Sequence, residues 1–449
     1  MALFRKLSSF IEEFYRDSRN ALLLTGARQT GKTFSVREFG KNFESFIEIN
    51  FIETPEAVDI FKSVSNPRDI LLRVSAFTDK KMIPGRTLIF FDEVQECKEA
   101  MTYIKFLVDD GTYRYILSGS LLGVELKGLR SNPVGYIGIK DVYPLDFEEF
   151  IINIGVNRDI LSYLLECFTK REPVAESIHL KLLELVRLYL VTGGMPAAVD
   201  SYISTNNLQN VEQIQKDIIS LYKEDIAKYG IRDRLEIKEV FDLIPSELDA
   251  KNKRFILKRL NEHAKYERCK NSFLWLKDAG VAIPVYNVSE PKVPLKLSEN
   301  RNLFKLFSND VGLLCAQYGG GLQLKIITGN NNINFGAVFE NFIAQELLAH
   351  GIQPFYFNSK RLGELDFVVA VGGAAVPIEV KSGKDYTVHR AILNVIECKN
   401  YEIEEGIVFS NSNLSVKEKI VYAPVYMVMF LKGDAELPRN YKIDISALR

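Results

Sequence analysis

Short, densely apolar runs alternate with helix-patterned segments through the first third of the chain. ALLLTG (21–26), SFIEINF (45–51), TLIFFDE (87–93) and YRYILSG (113–119) read as strands. Between them, KTFSVREFGKNF and ECKEAMTYIKFLVDD carry helical spacing. Strands that are apolar on both faces, each followed by a helix, predict a parallel sheet covered on both sides. From about 151 to 230 the pattern is helical: KLLELVRLYLV, then VEQIQKDIISLYKEDIAKY, separated by the break TGGMPAAV. From 231 to 317, three helical stretches (IKEVFDLIP, NKRFILKRLNEHA, CKNSFLWLKDAG) precede β-like runs, VAIPVYNV and NLFKLFS. Three helices followed by a β-ribbon is the order of a winged helix. The polar, glycine-rich YGGGLQLKIITGNNNIN (318–334) reads as a linker. A helix, FGAVFENFIAQELLAHG, then opens a last α/β segment, 330–449. The expected architecture is therefore α/β. A parallel-sheet core (1–150) is followed by a helical lid or connector (151–230), a winged-helix-like module (231–317) and a C-terminal α/β domain (330–449).

The loop after the first strand changes this from architecture to chemistry. Gly26-Ala27-Arg28-Gln29-Thr30-Gly31-Lys32-Thr33 fits G-x-x-x-x-G-K-[ST], with a strand entering and a helix leaving. Two glycines let the backbone curl so that N–H groups point inward at phosphate oxygens, and the helix adds its positive end. Lys32 is placed to reach the β- and γ-phosphates and Thr33 to ligate Mg²⁺. The apolar strand LIFF ends in Asp92 and Glu93. Acids at the C-terminal edge of a parallel sheet sit where ligands bind. Asp92 is expected to hold Mg²⁺ through water and Glu93 to polarise the attacking water, which would make this an ATP hydrolase. YRYIL ends in Ser118-Gly119-Ser120, where Ser120 is a candidate γ-phosphate sensor; serine and glycine also simply form turns there. Arg114 and Arg130 are the arginines that could act on a neighbouring subunit's nucleotide, or be surface residues.

GARQTGKT, FFDEVQE, LSGSLLG, YPLDFEEF and YLVTGGMPAAV together resemble the AAA-type ATPases of bacteria and archaea that carry a C-terminal domain of unknown function. The resemblance covers essentially the whole chain. It implies an AAA+ core with Lys32, Thr33, Asp92 and Glu93 in the roles above. It implies no particular biological substrate. No arginine finger or second sensor is recognisable. Pro144, Phe147, Gly193, Gly194 and Pro196 in the later signatures read as setters of turns between helices.

The C-terminal segment poses a second chemical question. In RLGELDFVVAVGGAAVPIEVKSG, Leu365, Phe367 and Val369 share one face of a β-run and Glu364 and Asp366 the other. Across the VGGAA turn, Glu379 and Lys381 lie side by side by the period-2 rule, and strand pairing would bring Asp366 to them. Two carboxylates can bind Mg²⁺ and activate water, while a lysine stabilises developing charge. The spacing resembles the D…(D/E)-x-K motif of the restriction-endonuclease-like fold. Its upstream acid would be Glu340, with Glu346 as the fallback, both on the preceding helix. A charged hairpin edge with Lys381 salt-bridged to Glu379 or Asp366 is the alternative. Lys251, Lys253, Arg254, Lys258 and Arg259 could dock a winged helix on DNA; a solvated charged face, diluted by Glu262 and Glu267, is the competing reading.

Composition narrows the field. Fifty-seven basic against 58 acidic side chains leave a net charge of −1, so any grip on nucleic acid must be local. Five scattered cysteines and four histidines without ligand spacing (His179, His263, His350, His389) form no zinc site or disulfide framework. The start, MALFRKLSSF, has no apolar h-region, and no run is long enough to span a bilayer. A cytoplasmic protein is expected, with ATP and Mg²⁺ as cofactors. DNA, a second copy of the chain or another protein are its candidate partners.

Overall fold

A computed structural model describes residues 3–64, 66–120, 135–228, 231–250, 254–256, 266–329, 335–383 and 386–433, with backbone alone at 231–233 and 266–268. The four expected N-terminal strands form: β1 (Ala21–Thr25), β2 (Ser45–Asn50), β3 (Thr87–Asp92) and β4 (Arg114–Ser118). The sequence reading missed a fifth, β5 (Ile137–Asp141), whose glycine and alternating exposure give it a weak apolar signal. All five pair in parallel, in the order β2-β3-β4-β1-β5. The strand period of two divides the core into two layers. Leu22, Leu24, Phe90 and Ile116 pack with Leu7, Ile11 and Val36 on one side. Leu23, Ile89, Phe91 and Leu117 pack with Val74, Met101 and Ile104 on the other. The topology puts β4 between β1 and β3, so three strand ends converge beside the loop that follows β1.

Helices Phe147–Asn153, Arg158–Lys170, Glu176–Thr192, Pro196–Thr205 and Leu208–Ala227 follow, as the periodicity predicts. Their glycine pair has a packing reason. A Cβ on Gly194 would collide with the Leu145 carbonyl oxygen, and one on Gly193 with the Asp310 carboxylate. The Gly194 N–H donates to Asp310 Oδ2 at 2.6 Å, and its carbonyl accepts from the Leu145 N–H at 2.7 Å. Burial pushes the Asp310 pKa up to about 6.

The third segment departs from expectation. Its hairpin, β6 (Ala282–Val288) and β7 (Glu299–Ser308), does not close a separate winged helix. It joins β8 (Phe355–Ser359), β9 (Gly363–Val371), β10 (Ala374–Val380), β11 (Gly406–Ser410), β12 (Ser415–Lys417) and β13 (Ile420–Pro424) in one eight-stranded sheet, ordered β12-β13-β11-β10-β9-β8-β6-β7. β6 pairs with β8 in parallel, Tyr286 opposite Phe355. β6 is buried on both faces along its length, so it could not stand as a solvated wing. The stretch expected as a linker holds a helix, Gly320–Ile327, because Gln323 and Ile326 bury against the helical region. Arg254, expected on a basic helix, lies outside any helix: the neighbouring Phe255 N–H donates to the Phe304 carbonyl at 3.0 Å. Lys251, Lys253, Lys258 and Arg259 lie outside the described residues. One continuous apolar core runs from Ala27 and Phe147 through the helices to Met429. Within it, helix Gly336–Ala349, the meander β8-β9-β10, helix Arg390–Glu397 and the parallel strand β11 succeed one another.

Candidate functional site

The loop between β1 and helix Lys32–Gly40 is held by residues able to adopt positive φ: Gly26 (125°), Gln29 (68°) and Gly31 (90°). A side chain at Gly26 would collide with the Val142 carbonyl oxygen, so glycine is required there by contact as well as by conformation. Lys32 Nζ donates to the carbonyls of Gly26 (2.9 Å) and Ala27 (2.7 Å). Burial outweighs the attraction of Glu93 and Asp92 and lowers its pKa to about 8. Thr33 Oγ1 donates to Asp92 Oδ2 at 2.9 Å. Ser118, at the end of β4, donates to the other Asp92 oxygen, and Asn50 Nδ2 approaches Oδ2 at 3.4 Å. Burial raises the Asp92 pKa against those hydrogen bonds. A hydroxyl beside a carboxylate is a hard oxygen donor set of the kind Mg²⁺ takes, so these residues fit the metal. Glu93 sits in the left-handed region at φ 56°, uncommon for a non-glycine residue. Its Oε2 accepts from Gln95 Nε2 (2.6 Å) and Ser120 Oγ (3.2 Å). Ser120 thus buttresses Glu93. A cleft of about 580 Å³, lined by Arg5, Arg28 to Ser35, Glu93 and Pro196, opens on this loop. Arg114 instead donates to the Ser18 carbonyl at 2.8 Å and lies over the Tyr15 ring, which makes it structural. Arg130 lies outside the described residues.

Three contacts that the sequence did not reveal tie this loop to the rest of the chain. Arg28 Nε pairs with Asp225 at 3.0 Å, and the neighbouring Tyr222 hydroxyl donates to the Arg28 carbonyl at 3.3 Å. Gly280, which leads into β6, lies so close that a Cβ there would be 2.8 Å from the Ala27 nitrogen.

The second set of acids also assembles. Ile378 pairs with Phe367, which places Glu379 beside Asp366, and the Val380 N–H donates to Asp366 Oδ2 at 2.9 Å. Lys381 Nζ donates to Glu379 at 2.9 Å. Burial, then the Asp366 charge, push the Glu379 pKa up to about 8 against the pull of Lys381. Glu340 is buried and acts electrostatically on both Glu379 and Lys381. Glu346 faces away: it accepts from the Phe147 N–H at 3.0 Å and neighbours His350 at 3.7 Å. The fallback acid is therefore a structural residue. The sequence reading also missed a cation. Lys305, fully buried on β7, lies 3.3 Å from Glu364, 3.7 Å from Glu340 and 3.9 Å from Asp366. Its signal was a lone lysine amid NLFKLFS. Among the described residues no group of three or more acids, histidines or cysteines is arranged to hold a metal ion. With an ammonium among its carboxylates, this cluster does not fit Mg²⁺ as the phosphate-loop residues do. No described helix is long and apolar enough to cross a membrane.

Family models match successive stretches of the chain. Residues 183–324 match a domain of unknown function (DUF8612) and residues 335–428 another (DUF4143). No curated protein matches the chain. Among solved structures, the Walker-type ATPase PABY2304 of Pyrococcus abyssi aligns at 14% identity over 71% of this chain and 96% of its own, with TM-score 0.43. The Aeropyrum pernix ORC1 protein, solved in complex with DNA, aligns at 13% identity over 72% and 92%, with TM-score 0.29. The STAND protein PH0952 of Pyrococcus horikoshii aligns at 11% identity over 78% and 50%, with TM-score 0.26. Likenesses of this strength say nothing about substrate. The phosphate loop and the paired acids both fall within residues 18–151, which match the AAA domain model and form an AAA domain of the P-loop ATPase class.

Proposed function

We propose that the chain is a Mg²⁺-dependent ATPase that couples its nucleotide state to a C-terminal nuclease-like domain acting on nucleic acid. The carrying observation is the contact of the phosphate loop with both following segments, through Arg28 to Asp225 and Tyr222 and through Ala27 to Gly280. Backbone N–H groups of residues 26–33 and the Lys32 ammonium would bind the ATP phosphates. Thr33 and Asp92 would hold Mg²⁺, which supplies charge neutralisation on the phosphate oxygens when bound. Glu93, fixed by Gln95 and Ser120, would take the proton of the attacking water. Phosphate binding would draw the Lys32 ammonium off the Gly26 and Ala27 carbonyls, and both attached segments would feel the loop's readjustment.

The nuclease-like reading of the last domain is supported by its helix–meander–helix–strand succession and by the meeting of Asp366, Glu379 and Lys381. A second reading, an ATP-gated interaction switch whose nuclease-like domain does not cut, is favoured by Lys305 among the acids. Cytoplasmic location and assembly with a second copy or a protein partner remain part of the proposal. The test is ATP turnover and DNA cleavage measured on the wild type, Lys32→Ala and Asp366→Ala, with Mg²⁺ and then Mn²⁺. Turnover that survives Lys32→Ala would reject the ATPase reading. Cleavage lost in Asp366→Ala would select the nuclease over the switch.

A further inference from the structure

The acidic cluster of the C-terminal sheet holds more charge than a strand edge needs. Glu340 comes from helix Gly336–Ala349, Glu364 and Asp366 from β9, and Glu379 from β10. Glu340 and Glu379 are 1% and 5% exposed. Buried carboxylates at this density need a cation or a proton. In a metal-dependent hydrolase the cation is a divalent ion held by such oxygens. Here Lys305 supplies one from within the chain. Its side chain is 0% exposed, and its ammonium lies within ion-pair distance of three carboxylates on two different elements. Burial alone would discharge it; the attraction of Glu340, Asp366 and Glu364 outweighs burial and raises its pKa. Arg254 adds a second positive charge on Glu364 at 3.4 Å, and Asn358 donates to the same carboxylate. Lys381 covers Glu379 from the other side.

We propose that Lys305 is a resident cation: its ammonium occupies the place among Glu340, Glu364 and Asp366 that a divalent ion would take, so the cluster excludes Mg²⁺ and works as an ionic tether. The tether joins β7 to β9 and to helix Gly336–Ala349. β7 pairs with β6, and Gly280, just before β6, closely approaches the phosphate loop. The inference rests on reading Asp366, with Glu379 and Lys381, as a D…E-x-K constellation whose first and upstream acids Lys305 occupies, and it favours the switch over the nuclease.

The experiment is a Mn²⁺ titration followed by electron paramagnetic resonance on the nucleotide-free full-length chain. It compares the wild type, Asp366→Asn, Lys305→Met and Lys305→Met with Asp366→Asn. The expected result is equal Mn²⁺ occupancy in the wild type and Asp366→Asn. Lys305→Met should gain one bound Mn²⁺ per chain and a melting temperature that rises with Mn²⁺, and both gains should vanish in the double variant. A wild-type site that is lost in Asp366→Asn would overturn the proposal. So would a folded Lys305→Met that gains no site. If Lys305→Met does not fold, the wild type and Asp366→Asn alone decide. ATP turnover in the same wild-type and Lys32→Ala preparations separates failure of this inference from failure of the ATPase reading.

Discussion

Replacing Gly280 by alanine perturbs nucleotide binding from a residue outside the nucleotide cleft. Gly280 has φ 71°, a conformation that costs an L residue about 1–2 kcal/mol. Its new Cβ would lie 2.8 Å from the Ala27 nitrogen and 3.5 Å from the Ala27 Cα. Ordinary van der Waals contact begins near 3.4 Å, so the phosphate loop or the β6 approach must retreat by about 0.6 Å. The loop is the softer of the two, because β6 is paired with β7 from Ala282 onward. If the overpacking strain, typically about 1–3 kcal/mol, falls on the loop conformation that binds phosphate, binding weakens by roughly 5–150-fold. A fluorescent ATP analogue titrated at 25 °C gives the dissociation constant, and a thermal melt gives stability. Gly85→Ala is the control: its φ is 73°, yet nothing lies within 4 Å of the new Cβ. It should lose stability and keep its affinity. Equal nucleotide affinity in the two variants would refute the claim that the β6 approach bears on the loop.

Glu93→Gln should retain ATP binding and lose turnover by roughly 10²–10⁴-fold; single-turnover kinetics would expose a variant that instead loses binding. The Lys32 pKa, lowered to about 8 in the folded chain, means its charge is present below that pH and lost above it. kcat/KM for ATP, which reports the free enzyme, should therefore fall above pH 8, and a profile flat to pH 9.5 would contradict the burial argument. The Glu379 pKa is raised from 4.5 to about 8. The folded chain then keeps a proton the unfolded chain releases, and stability declines between those values by up to ~1.4 kcal/mol per pH unit from this group. Glu379→Gln should flatten that slope in urea titrations at pH 5, 6.5 and 8; an unchanged slope would assign it elsewhere.

The parts legible in the sequence are those whose signal is local. The phosphate loop, its lysine and threonine, and the acids closing β3 follow one another within short windows, and the structure gathers them at one sheet edge. The Asp366–Glu379–Lys381 set was legible because a hairpin obeys the period of two. What escaped depended on distant pairing. The β6–β7 hairpin reads as a wing until β8, some seventy positions later, pairs with it in parallel. Lys305 looks like a surface residue of a short strand until that pairing brings it to Glu340, Glu364 and Asp366. Glu340 and Glu346 are indistinguishable acids on one helix; only packing against Phe147 shows which one turns away. Gly193 and Gly194 read locally as turn formers, and the contact with Leu145 and Asp310 that requires them has no local signal.

The central claim is that nucleotide at the AAA domain is felt by the C-terminal half. Hydrogen exchange on Glu93→Gln, which should bind ATP without turning it over, tests it directly. With Mg²⁺-ATP, protection should rise at 26–33 and also at 218–226 and 278–284, the segments that contact the loop through Asp225, Tyr222 and Gly280. Protection confined to 26–33 and the ends of β3 and β4 would contradict the coupling and leave an ATPase that works alone.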